Sequence, residues 1–349
     1  MQDIDTRKET IDDIFDSVGN TPLLELNTIP EKEGVDVTIL GKLEMFNPTG
    51  SLKDRIYYEM IQSAIEKGEL EPGMKIIEAS TGNAGIACSF TGNMLGYDVT
   101  IVMPEGMSEE RQKIMRAYGA DLVLTPGGES DVDLALEKVD EIKEENPGQY
   151  WEPGQFSNRD NLRAHYKTTG PEIWEQTDGE LDAFVATQGT GGTISGAGKY
   201  FKERDPSVKL YAGEPAEAPL LSERTWGSHR IEGIGDGFVP RNLDLSILDG
   251  VITMSSEESI EMAQRMASEE GLFCGISSGA NLIGCLKLAR KHPEIEKIVT
   301  MINDTGQRYY STPLCGVEKK LEVPDREHPM DEYTINELDK YQGDWDIIR

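Results

Sequence analysis

The chain has 349 residues, a formal net charge of −30 and four cysteines. That length suits about two domains with ample core. The charge excludes nucleic-acid binding, which needs basic surface to neutralise phosphates, and no apolar run approaches membrane-spanning length.

Residues 1–18 carry an amphipathic helical pattern (Ile11, Ile14, Phe15, Val18) that ends at Gly19. The start, Met1-Gln2-Asp3-Ile4-Asp5, has neither the basic beginning nor the apolar region of a signal peptide, so a cytoplasmic protein is expected. Val37–Glu44 reads as a strand. It is followed by turn chemistry at Asn47-Pro48 and Gly50-Ser51, with Ser51 a candidate N-cap. Ile56, Met60, Ile61, Ala64 and Ile65 then recur at helical spacing. Strand patterns at 75–78, 98–103, 121–124, 183–186, 209–211 and 297–301 alternate with helical ones, among them 85–94 and 109–118. Such alternation implies parallel sheets flanked by helices.

Cys88, Cys274, Cys285 and Cys315 form no CxxC pair, and none of the four histidines lies at ligand spacing from a cysteine. Reduced thiols and no metal site are expected. Acidic residues crowd the N-terminus, the 137–145 segment and the tail after Glu318. Two readings of this acidity stay open: a solvated surface, or adaptation to high salt, where screening removes self-repulsion.

Four stretches carry candidate chemistry. Lys53 falls in the first turn of its helix, where the dipole disfavours an ammonium and suits an amine that forms a Schiff base. Ser80-Thr81-Gly82-Asn83-Ala84-Gly85 joins a strand to a helix, and amides at a helix N-terminus make an anion site. Gln188-Gly189-Thr190-Gly191-Gly192-Thr193 also follows a strand; its glycines let backbone approach a phosphate, and its threonines add donors. It satisfies neither GxGxxG nor the GK[ST] ending of a nucleotide loop. Asn303–Tyr309 follows the last long strand pattern.

These motifs, in this order, resemble the cysteine synthase (O-acetylserine sulfhydrylase) and cystathionine β-synthase family of fold-type II pyridoxal-phosphate enzymes. The resemblance runs from Gly19-Asn20-Thr21-Pro22-Leu23 to about Leu314. It implies an α/β fold of two three-layer α/β/α domains with mainly parallel twisted sheets and the cofactor between them. A smaller domain would span 38–152 with helix 1–18 associated. A larger one would take 19–37 and 153–316, and 317–349 would form an acidic extension.

By the same resemblance Lys53 holds pyridoxal 5'-phosphate and then serves as general base. Asn83 bonds the ring oxygen, Gly189, Thr190, Gly191, Gly192 and Thr193 hold the phosphate, and Thr305 faces the ring nitrogen, with Asp304 its competitor. Ser80, Thr81, Gly82, Ala84, Gln155 and Gly233 bind the substrate, while His165 is structural. Ala84 stands where cysteine synthases usually carry threonine, and Asp236 where the commonest have a small apolar residue. Asp236 has three possible jobs: an ion-pair or solvent partner, a ligand for the substrate's amino group, or a general base.

The implied reaction is β-replacement on a serine- or cysteine-like amino acid through an aminoacrylate. O-acetylserine or O-phosphoserine plus sulfide would give cysteine. The alternatives are a cysteine β-lyase or hydrolase using water or a thiol (serine, lanthionine or cystathionine as product), and a non-catalytic homologue. The family implies a homodimer.

Overall fold

The computed structural model describes residues 10–128, 131–317 and 328–349. The first half of the chain supplies β1 (Leu23–Leu26), β2 (Thr38–Leu43), β3 (Lys75–Ala79), β4 (Val99–Pro104), β5 (Asp121–Thr125) and β6 (Tyr150–Trp151). The second half supplies β7 (Ala183–Thr187), β8 (Lys209–Pro215), β9 (Gly250–Met254), β10 (Lys297–Ile302) and β11 (Asp346–Ile348). They form a seven-stranded sheet, β1-β2-β10-β7-β8-β9-β11, and a four-stranded sheet, β5-β4-β3-β6. Only the β1–β2 pair is antiparallel among the described ladders.

Each sheet is covered on both faces, which makes two three-layer α/β/α units. One apolar cluster of the larger sheet contains Ile260, Met266, Ile276 and Leu286; the opposite one contains Phe184, Ile194, Phe201 and Leu338. Around the smaller sheet, Ile56, Met60, Ile86 and Met115 lie on one side, and Ala135 and Val139 on the other. Strands covered twice are apolar throughout rather than alternating, and all five residues of β9 are buried.

Two expected boundaries are corrected. β2 lies between β1 and β10 in the larger sheet, so residues 38–43 belong there and not to a smaller domain beginning at 38. Its partner β10 is some 260 residues away in the chain, and local pattern carries no trace of that pairing. The C-terminal segment is no detached extension either. Its helix Glu332–Tyr341 and Trp345 enter the core, and β11 closes the edge of the larger sheet beside β9.

Of the stretch expected to form an N-terminal helix, residues 1–9 lie outside the described part, and residues 10–18 hold a 3-10 turn, Ile14–Ser17, capped by the Asp13 side chain accepting from the Phe15 amide. Only Phe15 of its apolar set is buried, stacked on Tyr58 and tilted against Phe90, while Ile11 and Ile14 are exposed.

The helix Lys53–Lys67 starts on the lysine itself and ends at Gly68, whose φ of 72° is the left-handed cap that glycine accepts without strain. Leu52 occupies its cap position; Ser51 contributes only a 3.3 Å bond from the Lys53 amide. The two residues after Lys53 are buried. Asp54 accepts from the Thr49 amide at 2.6 Å. Arg55 pairs with Glu44 at 2.7 Å and with Glu172 at 2.6 Å, and Lys42 meets Glu172 at 2.7 Å. This charge cluster ties β2, the lysine helix and the helix Thr169–Gln176 together. Because Asp54 and Arg55 face inward, Lys53 is turned toward the space between the sheets.

Glu78 in β3 is fully buried, and Tyr57 Oη donates to it at 3.1 Å. Burial, helped by nearby Glu152, lifts its carboxyl to about 8. Between pH 4.5 and 8 the folded chain therefore holds a proton that the unfolded chain has released, so stability falls across that window and levels off above it. Glu214, lifted to about 7, and Asp54, to about 6, act in the same direction. Glu78→Gln is expected to flatten the decline by up to ~1.4 kcal/mol per pH unit relative to wild type. Denaturant unfolding of both proteins at pH 5, 6.5 and 8 measures it, and parallel curves would count against a protonated Glu78.

Candidate active site

The C-terminal ends of β3, β7 and β10 open into one cleft, the usual place for a ligand in open parallel sheets. Lys53 lines it. So do Ser80, Thr81, Gly82, Asn83 and Ala84 from the smaller sheet, and Gly189, Thr190, Gly191 and Thr193 from the larger. Gln155, Gly233 and Asp236 complete the set that the sequence brought forward.

After β3, the Ser80 hydroxyl accepts from the Gly82 amide at 3.1 Å and the Gly85 amide at 2.7 Å. Ser80 thus shapes the loop that opens the helix Asn83–Met94, whose first amides face the cleft as an anion site. Gln155 is held beside it, donating to the Ala79 carbonyl at 3.2 Å. Asn83 donates to Asp304 at 2.6 Å and accepts from Arg308.

The loop after β7 needs its glycines. Gly191 has a φ of 77°, and a Cβ there would lie 2.7 Å from the Leu243 amide; a Cβ at Gly189 would lie 2.5 Å from the Gly233 carbonyl oxygen. Gly192 lies just outside the lining as the first residue of the helix Gly192–Lys202. Beneath the loop, Asn161 donates to Thr190 Oγ1 at 3.0 Å, and His165 Nε2 lies 3.2 Å from Thr193 Oγ1. His165 Nδ1 is 2.8 Å from Thr169 Oγ1. Burial lowers the imidazole to about 3, so it is neutral. A threonine oxygen that accepts from Asn161 can point its own proton at an anion, which only accepts. The cradle fits a phosphate monoester in shape and in donors.

Thr305 does not line the cleft. Its hydroxyl caps the 3-10 turn Gly306–Arg308, accepting from the Gln307 amide. Asp304 is turned away as well: fully buried, it accepts from Asn83 and from Tyr309 Oη at 2.7 Å. The lining hydroxyl in this region is Ser277, near the start of the helix Ile276–Lys291, where it accepts from Asn303 Nδ2 at 3.0 Å. Thr305, expected to face the ring nitrogen, is therefore corrected as a cleft residue, and the lining hydroxyl here belongs to Ser277. The signal for it in the sequence is the hydroxyl-bearing run Gly275-Ile276-Ser277-Ser278.

Asp236 is 6% exposed in a loop where Gly233, Gly235 and Gly237 all have positive φ. A side chain at Gly235 would collide with His229 and Pro215. The alternation sends Glu232, Ile234 and Asp236 to the same side, into the cleft. Sequence reasoning missed Glu232. It also missed Arg111, on the helix Glu109–Ala117, where an isolated arginine in an amphipathic helix looks like solvated surface.

Over residues 14–304 the chain matches a family model described as pyridoxal-phosphate dependent enzyme. It is 42% identical over 312 residues to a cysteine synthase of Staphylococcus aureus, covering 89% of this chain and 99% of that one. A cysteine synthase structure from Entamoeba histolytica superposes with a TM-score of 0.85 at 39% identity, covering 97% of each chain. A hydrogen sulfide-producing enzyme from Fusobacterium nucleatum superposes with a TM-score of 0.82 at 37% identity, covering 86% of this chain and all of that one.

Proposed function

The chain belongs to the pyridoxal-phosphate-dependent enzyme family, and on that premise we propose that it makes L-cysteine from O-acetylserine or O-phosphoserine and sulfide. Pyridoxal phosphate is its cofactor, and β-replacement of the cysteine synthase kind is its reaction class. One observation carries the reading. Lys53 shares a cleft with a strand-to-helix loop from each sheet, which supports reading one as the carboxylate site and the other as the phosphate site.

The cofactor, when bound, supplies the electron sink that acidifies the substrate's Cα proton. Lys53 Nζ would hold it and, as a free amine, would take that proton as general base. The amides of 80–84 and the Gln155 carboxamide hold the substrate carboxylate, which fixes Cα relative to Lys53. Thr190 and Thr193, set by Asn161 and His165, hold the phosphate with the amides of the Gly189–Thr193 loop. Ser277 offers the ring nitrogen a hydroxyl. A hydroxyl leaves that nitrogen largely neutral, which suits loss of a β-substituent over transamination.

A second reading is favoured by two residues: L-cysteine as substrate and water or a thiol as nucleophile, with sulfide released. Asp236 would serve as the base that water or a thiol needs, whereas sulfide is already substantially ionised near neutral pH. Ala84 lacks the hydroxyl usual in cysteine-forming relatives. On either reading the protein is a cytoplasmic homodimer acting on small amino acids, with no nucleic-acid partner. No described helix is long and apolar enough to cross a membrane.

The deciding experiment supplies the holoenzyme with O-acetylserine or O-phosphoserine and sulfide, and separately with L-cysteine and water, with products identified by mass. Cysteine from the first mixture at the greater rate is expected. Sulfide and serine from the second, with no cysteine from the first, would replace this reading with the other.

A further inference from the structure

The loop that carries Glu232, Gly233 and Asp236 into the cleft is long and irregular: residues 224–244 form no helix or strand. Gly233, Gly235 and Gly237 all have positive φ, so the segment is loose by its own backbone. On the cleft side it is met by Arg111, which pairs with Glu232 from the smaller sheet's helix Glu109–Ala117. Away from the cleft it is held along its length by the C-terminal segment. Arg224 donates to Asp339 at 2.6 Å and to Gln342 at 2.7 Å. His328 stacks on Trp226 with ring centroids 4.6 Å apart, and it packs so closely on Gly237 that a Cβ there would collide with its Nε2. The Val239 amide donates to Thr334 Oγ1 at 2.9 Å, and the Arg241 guanidinium lies 4.5 Å from the centroid of the Tyr333 ring. The segment lies beyond residues 14–304, the span of the family match.

We propose that the C-terminal segment sets this loop for catalysis, with Thr334 and His328 as positioning residues that fix Asp236 through Val239 and Gly237. This deepens the proposed function and rests on the reading of Asp236 as a general base. Its carboxylate takes a proton from water or a thiol as the oxygen or sulfur electron pair forms the bond to the β-carbon. A base works only within hydrogen-bond reach of its proton, so a shift of about 1 Å in the loop is enough to cost rate.

Thr334 is fully buried, and its hydroxyl donates to Asp331 at 3.0 Å, which turns its lone pairs to the Val239 amide. Asp331 separately accepts from the Thr334 amide at 2.8 Å and so caps the helix Glu332–Tyr341 without help from that hydroxyl. Leu338 of the same helix is buried in the core of the larger sheet, which gives the loop a rigid backing. His328 reaches the other unit as well: its Nδ1 lies 3.6 Å from Asp133 on the helix Val132–Glu145, which covers the smaller sheet. The segment therefore touches both units that make the cleft.

The test compares Thr334→Val, Thr334→Ser and His328→Ala with wild type, all as holoenzymes. Thr334→Val removes the acceptor of the Val239 amide and leaves the helix capped. Amide exchange read by peptide mass should rise about 10-fold or more within 226–241 and stay unchanged in the strands of both sheets. Rapid mixing with O-acetylserine should show release of acetate at the wild-type rate, transfer to water slowed on the order of 10-fold, and transfer to sulfide spared. His328→Ala should repeat this pattern and Thr334→Ser, which keeps the oxygen, should restore wild-type rates. Added to Asp236→Asn, Thr334→Val should slow water transfer no further, because both act on one group. Looser exchange in the loop with wild-type transfer to water would make the segment a structural support and overturn the proposal. So would an equal loss with water and with sulfide, or a further loss in the Asp236→Asn background. If Asp236→Asn alone changes nothing, the reading of Asp236 as a base has failed and the proposal falls with it; if wild type releases no acetate, β-replacement itself has failed.

Discussion

Lys53→Ala is expected to abolish turnover, a loss on the order of 10³-fold or more, since on the proposed mechanism one residue both holds the cofactor and moves the Cα proton. The loss should not be one of folding. Arg55 and Asp54, which anchor this helix, remain, and alanine is a good helix former at its first position. Cofactor binding should survive in part, because the Gly189–Thr193 cradle grips the phosphate independently of the lysine. Borohydride treatment of the wild-type holoenzyme should fix the cofactor covalently, and peptide mass analysis should find it on Lys53. A label on any other lysine would overturn the assignment of the whole site.

The second large effect concerns Asp236. Asp236→Asn should still release the leaving group from the first substrate, yet transfer to water or a thiol should slow by ~10²–10⁴-fold, the common range for loss of a general base. Sulfide should be much less affected, because it arrives largely ionised. Rapid mixing that follows the cofactor's visible band through the second half-reaction, with water alone, with a thiol and with sulfide, measures all three. Equal rates in wild type and variant under every condition would remove Asp236 from the chemistry and leave plain cysteine synthesis as the better account.

Ser277 and Thr305 show where reading by motif goes astray. Both sit in short hydroxyl-bearing runs after apolar segments, and the order of motifs favoured Thr305. In the fold the Thr305 hydroxyl caps the turn it begins, outside the cleft lining, while Ser277 stands near the start of a long buried helix and lines the cleft. The helix Lys53–Lys67 could be drawn from its spacing alone, but the direction of Lys53 could not. That direction depends on Glu44 and Glu172, which pair with Arg55 from other elements.

What the sequence determined by itself is local. Strand patterns became β2, β3, β4, β5, β7, β8 and β10, and the two strand-to-helix loops gather glycines, hydroxyls and backbone amides within a few residues. Such features follow from φ/ψ preferences and hydrophobic period, which neighbouring residues set together. What only the tertiary structure decided is which distant segments meet. It paired β2 with β10, brought the C-terminal strand to the sheet edge, put the Ser277 hydroxyl rather than that of Thr305 on the cleft lining, and set Arg111 against Glu232 across the cleft. Those meetings arise from burying apolar faces that give no local sign of their partner, and a buried charge finds its counter-charge only once both layers have closed around it.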